Sequence, residues 1–168
     1  MKSVLLLSTC PVEEIDTVYL DTDSRTSVAL ARVLASQHWK ISPSWKSISE
    51  LKGDIIKHEA KVLIGDKTFG LHSKYSFCYD LAKEWIAFSG LPFVFAAWVS
   101  TNPIPLAFEQ ALQAALAWGV EHLEDSVQVA HNPHITADEL VSYLKNDISY
   151  TLDDNKRKGM EMFLKLIS

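Results

Sequence analysis

The sequence predicts an α/β fold as far as Val99 and helices alone beyond Pro105. Three observations carry this. Ser3–Ser8 and Lys61–Ile64 are short apolar runs of strand length, the kind that suits strands covered on both faces. Between them Val28, Ala31, Leu34 and Ala35 recur at the spacing of a helix that buries one side. After Pro103 and Pro105, which a helix start tolerates, apolar residues recur almost only at helical spacing.

Taken in order, Ser3–Ser8 is a strand that ends at Pro11 and Glu13-Glu14. Thr17–Leu20 is a second strand, followed by a turn crowded with Asp21, Thr22, Asp23 and Ser24 and then by the helix. Ile41–Ile48, which contains Pro43, reads as an extended edge piece. Ser49-Glu50-Leu51 leads into a polar stretch with a helical turn or two. The Lys61–Ile64 strand stops at Gly65-Asp66, and Gly70–Phe77 is a loop rich in His, Ser, Tyr and Lys. Tyr79–Phe88 is a short helix with Leu81, Trp85 and Phe88 inward, closed by Ser89-Gly90 before Pro92. Phe93–Val99 alternates and predicts a strand. Leu106, Leu112, Ala115, Leu116 and Trp118 then form a helical stripe. Thr136 to Glu139 has capping-box spacing for a helix carrying Leu140, Val141, Leu144 and Ile148. A last helix from about Leu152 carries Met160, Phe163, Leu164 and Ile167.

Composition narrows the function classes. The 168 residues suit one domain of ordinary size, and 48% hydrophobic with 22% charged residues is the balance of a folded chain. A net charge of -5 argues against nonspecific nucleic-acid binding, and Lys156-Arg157-Lys158 sits among acids as a solvated helix face. No segment approaches the ~20 apolar residues that cross a membrane. Cys10 and Cys78 belong to no CxxC pattern, so a reduced, cytoplasmic chain is expected. The start MKSVLLLSTC has too short an apolar run for a signal segment.

Several constellations invite chemistry and fall short of it. His131-Asn132-Pro133-His134, with His122 upstream, has no Cys or clustered carboxylate to complete a metal shell, so no metal is expected. Cys78 near His72 lacks a recognisable third group for nucleophilic catalysis. What remains is the Ser24, Arg25, Thr26, Ser27 helix start and Asp66 at a strand end. Hydroxyls at a helix start ordinarily cap it, but free N–H groups and the helix dipole also make an anion site there. Both places lie at the C-terminal side of consecutive strands, where open α/β sheets bind ligands, so they are expected to share one edge. Arg25, hydroxyls and N–H groups would hold carboxylates there, while Asp66 orients a hydroxyl or moves a proton. Arg25 can also pair with Asp21 and Asp23. Trp98, at the end of the predicted Phe93 strand, is kept as a cleft residue. A small carboxylate-bearing ligand is the reading of these residues alone.

Three stretches together resemble a known family: DTDSRTSVALARVL, VLIGDKTF and YDLAKEWIAFSGLPFVFAAW. They are similar, in order and spacing, to the chorismate dehydratase of the futalosine route to menaquinone. The C-terminal YTLDDNKRKGMEMFLKLI resembles that family's last helix. The resemblance implies a periplasmic-binding-protein-like type II fold, with chorismate dehydrated to 3-[(1-carboxyvinyl)oxy]benzoate and no cofactor. It implies carboxylate binding at Ser24, Arg25, Thr26 and Ser27, with Asp66 a polar residue near the leaving hydroxyl. The alternatives are a non-catalytic carboxylate-binding module of the same fold and the related dihydroxynaphthoate synthase.

The family also implies a β/α segment before the strand SVLLLS, with which this chain opens. Residues 1–8 are accordingly expected to be a hinge strand, 9–99 one complete α/β lobe, and 100–168 the helical C-terminal part of the other lobe. Those helices would keep apolar faces in need of a partner. A fragment, a shifted gene start and a homodimer that lends the lobe stay open as explanations. Weak or no turnover is expected of the chain by itself.

Overall fold

Backbone pairing sorts the first strands into one sheet. A computed structural model describes residues 4–71, 73–129 and 135–168. The chain divides into two compact units: Met1–Phe95 with Leu152–Ser168, and Ala96–Thr151.

The first unit holds a five-stranded sheet in the order β3-β2-β4-β1-β5. Its strands are β1 (Val4–Ser8), β2 (Thr17–Leu20), β3 (Ser44–Ser47), β4 (Glu59–Ile64) and β5 (Phe77–Asp80). β2 runs parallel to β3 and to β4, with Leu20 opposite Ser47 and Val62. β1 is antiparallel to both β4 and β5, so it alone runs against the other four. The C-terminal ends of β2, β3, β4 and β5 therefore share one edge.

The apolar run of β1 is buried throughout because each face meets a different cluster. Val4 and Leu6 join Val18, Leu20, Ala60 and Val62 under the helices. Leu5 and Leu7 join Leu63 on the opposite face, packed by Ile48, Leu71 and Tyr75 from the connecting segments and by Cys78 of β5. Over the first face lies α1 (Arg25–Val33), continued by a wider π turn, Leu34–Trp39, which ends at left-handed Lys40. Its Ala31, Leu34 and Ala35 are buried as their spacing predicts, and Val28 packs against the cluster's edge. Beside it lie α2 (Leu81–Ser89), closed by Gly90 at φ 71°, and α6 (Asp154–Ile167), capped by Asp153. Trp85 is fully buried and meets Phe93 and Phe163 edge-on at centroid distances of 5.4 and 5.8 Å.

Two expectations give way here. Residues 77–80 form β5 rather than a loop leading into a helix at Tyr79, because Leu5–Ser8 offers them a free backbone edge. Asp80 consequently caps α2, its Oδ1 accepting from the N–H groups of Ala82 (3.0 Å) and Lys83 (3.3 Å). The predicted Phe93–Val99 strand is not formed, since no neighbouring strand pairs with it. Phe93 and Phe95 instead stack edge-on at 4.6 Å, and Ala96–Val99 is exposed.

The second unit contains α3 (Leu106–Glu121), α4 (Leu123–Val129) and α5 (Ala137–Ser142), the last prolonged by the π turn Tyr143–Asp147. The predicted capping box is formed: Thr136 N–H donates to Glu139 Oε2 (2.9 Å), and Glu139 N–H to Thr136 Oγ1 (3.3 Å). Lys145 pairs with Glu124. Leu106, Phe108 and Trp118 of α3 are exposed.

Candidate functional site

Two loops converge where β2 and β4 end. Adjacent parallel strands must deliver their following segments to the same edge, and Asp21 N–H extends the ladder by donating to Val62 O (3.2 Å). After β2 the chain turns through Asp21, whose Oδ1 accepts the Asp23 N–H (3.2 Å), and enters α1. After β4, Gly65 at φ 57° opens a 3-10 turn, Gly65–Thr68. Buried Thr68 fastens that turn, its hydroxyl donating to Gly65 O (2.7 Å), while Phe69 N–H donates to Asp66 O (3.2 Å).

Ser24 is the N-cap of α1. Its Oγ accepts from Ser27 N–H (3.2 Å) and donates to buried Ser27 Oγ (2.9 Å), so both hydroxyls are engaged with each other. The first intrahelical bond runs from Val28 N–H to Ser24 O (3.2 Å). The N–H groups of Arg25 and Thr26 therefore have no acceptor within the helix and stand at its positive end. Thr26 is half-buried and Arg25 exposed.

Charge at this edge is organised by a residue the sequence reading passed over. Lys67 Nζ donates to Asp21 Oδ2 at 2.9 Å and to Asp23 Oδ2 at 2.6 Å. Asp21 is buried at 1% exposure, while Lys67 is half-exposed. The hydrogen bond from Lys67, then its charge, hold the Asp23 carboxyl below its ordinary range. The bonds to Asp21 and Asp23 raise the ammonium of Lys67 in turn. The two acids thus pair with Lys67 rather than with Arg25, because the 3-10 turn carries Lys67 to them across the sheet edge. A usable signal was present: a lysine directly after Asp66 at a strand end, with two acids directly after the neighbouring strand. Asp80 was also missed, and it places the N-terminus of α2 at this same edge.

The structure brings Ser24, Arg25, Thr26 and Ser27 to the same edge as Asp66, which is exposed on the 3-10 turn. Trp98 belongs to the other unit and is 80% exposed. Cys78 lies on the leucine face of the sheet, where burial, then Asp80, push its thiol up; that disfavours the thiolate a nucleophile needs. His122 stacks on Trp118 at 4.2 Å, its Nδ1–H donating to that residue's carbonyl (2.8 Å). His72 and the His131-Asn132-Pro133-His134 stretch lie outside the described residues. Among the described residues no three His, Cys, Asp or Glu side chains gather as metal ligands, and no helix is long and apolar enough to cross a membrane.

The backbone N–H groups of Arg25 and Thr26 at the α1 start thus stand at the same sheet edge as exposed Asp66 on the neighbouring turn. Residues 1–168 match the family model described as menaquinone biosynthesis.

Proposed function

The chain belongs to the menaquinone biosynthesis family, and on that premise we propose that it is a hydro-lyase of the chorismate dehydratase kind. The observation that carries this reading is the α1 start and the Asp66 turn standing at one sheet edge, fixed by the Lys67 pairs. Chorismate has a ring carboxylate, an enolpyruvyl carboxylate and a leaving hydroxyl. A base removes the proton from the ring carbon that bears the enol ether, and the C–H electrons become a ring double bond. The neighbouring hydroxyl departs with its electron pair, takes up a proton and leaves as water. The ring becomes aromatic, giving 3-[(1-carboxyvinyl)oxy]benzoate.

Negative charge develops toward the ring carboxylate as that proton leaves. The Arg25 and Thr26 N–H groups are donors fixed by the helix backbone to meet it, with the Thr26 hydroxyl on the same turn, and preorganised donors of this kind are typically worth ~3 kcal/mol each. Ser24 and Ser27 serve by holding the helix mouth in shape. Asp66, exposed beside them, orients the leaving hydroxyl or takes the proton. The periplasmic-binding-protein-like type II fold is part of the same proposal. It is supported by the single antiparallel strand β1 and by the chain's leaving the first unit after Phe95 and returning at Leu152.

The test is incubation with chorismate, followed by chromatography for the aromatic product, on the protein carrying the β/α segment that the family resemblance implies before SVLLLS, as wild type and as Ser24→Ala with Thr26→Ala. Product from the wild type and none from a folded double variant supports the assignment. Wild-type turnover retained in the double variant overturns the helix-start role. Chorismate binding without conversion favours the non-catalytic carboxylate-binding module.

A further inference from the structure

Lys67 makes contacts that the proposed reaction does not by itself call for. Its ammonium joins segments 44 and 46 residues apart in sequence. Asp21 divides its two carboxylate oxygens between them: Oδ1 shapes the turn by accepting Asp23 N–H, and Oδ2 accepts from Lys67. A carboxylate as buried as Asp21 requires a partner, and removing one member of such a pair leaves an uncompensated charge. The base from which Lys67 reaches out is itself fixed, by Thr68 and Gly65 within the 3-10 turn.

We propose that Lys67 is a positioning residue for the α1 mouth. Pinned between Asp21 and Asp23, it locks the β2 turn to the β4 turn and offsets acidic charge that would oppose an anionic ligand there. With Lys67 the three side chains carry one net negative charge; without it they carry two. An anion approaching the Arg25 and Thr26 N–H groups meets that field directly. The affinity part rests on the reading of this mouth as a carboxylate site, while the locking part stands on the geometry alone.

The variants are Lys67→Met, which removes the charge, Lys67→Arg, which keeps it, and Lys67→Met combined with Asp23→Asn. Two readouts apply: amide hydrogen exchange without ligand, and calorimetric affinity for 3-[(1-carboxyvinyl)oxy]benzoate in low and high salt. Lys67→Met should speed exchange across 21–27 while leaving β1 unchanged. It should also weaken binding about tenfold in low salt, the size of effect expected of one charge in a partly screened site. Lys67→Arg should restore both. Adding Asp23→Asn to Lys67→Met should restore affinity but not protection, a split that a merely structural role would not produce.

Unchanged exchange in Lys67→Met would overturn the lock, and unchanged low-salt affinity would overturn the charge role. If the wild type binds no ligand, the carboxylate-site reading and the charge role fall together, and exchange still decides the lock. If Lys67→Met does not fold, Asp23→Asn alone decides: tighter low-salt binding is expected, and equal or weaker binding overturns the charge role.

Discussion

Replacing Gly159 by alanine should destabilise the first unit, although alanine is the better helix former. Gly159 lies buried in α6, and a Cβ built on it would stand 2.2 Å from the carbonyl oxygen of Pro92 and 3.4 Å from its carbon. A carbon–oxygen contact of this type normally settles near ~3.3 Å, so α6 or the Pro92 segment must retreat by roughly 1 Å. The obstacle is backbone, which no rotamer change can move aside. The retreat opens the cluster of Trp85, Phe93 and Phe163, each buried and each packed edge-on against the others. Overpacking of this sort costs about 1–3 kcal/mol or more, and alanine in a helix interior returns about 1 kcal/mol. A net loss of up to ~2 kcal/mol lowers Tm by as much as about 4–8 °C in a chain of this length. The assay is thermal and urea unfolding beside Gly119→Ala, a helical glycine of α3 with nothing within 4 Å of the added carbon. Gly119→Ala should hold or raise stability by up to ~1 kcal/mol. An unchanged or raised Tm in Gly159→Ala would refute the view that close approach to Pro92 sets α6 in place.

Asp80→Ala removes the acceptor for the Ala82 and Lys83 N–H groups and should cost about 1 kcal/mol by urea unfolding, with Asp80→Asn recovering most of it. Acid should weaken the protein partly through Asp54, whose carboxyl is held down to about 2 from 3.8, first by the hydrogen bond from Lys61 and also by Tyr75 and the Ile55 N–H. A pKa depressed on folding gives stability that is present above 3.8 and lost as pH falls toward about 2. With the side chain 62% exposed, screening reduces its worth to about 1 kcal/mol or less. Asp54→Asn should therefore flatten the stability curve between those two pH values and leave its slope near neutrality unchanged.

How legible the protein was depended on the range of each interaction. The capping box of Thr136 and Glu139, the Ser24 cap and the Gly90 stop rest on hydrogen bonds a few residues apart, so the order of side chains contains them. β1, β2, β4 and α1 likewise followed from apolar spacing, and with them the site's helix start. β5 did not, because Phe77–Asp80 becomes a strand only through the backbone of Leu5–Ser8, and Phe93–Val99 failed for want of such a partner. The site divides in the same way. Sequence alone placed Ser24 to Ser27 at a helix mouth and Asp66 at a strand end. The parallel pairing of β2 with β4 sets them on one edge, as their places at strand ends predict, but only the closed fold brought Lys67 to Asp21 and Asp23. Local hydrogen bonds belong to a segment and can be read from it, whereas a strand's partner and an ion pair across 44 residues exist only once the chain has closed on itself.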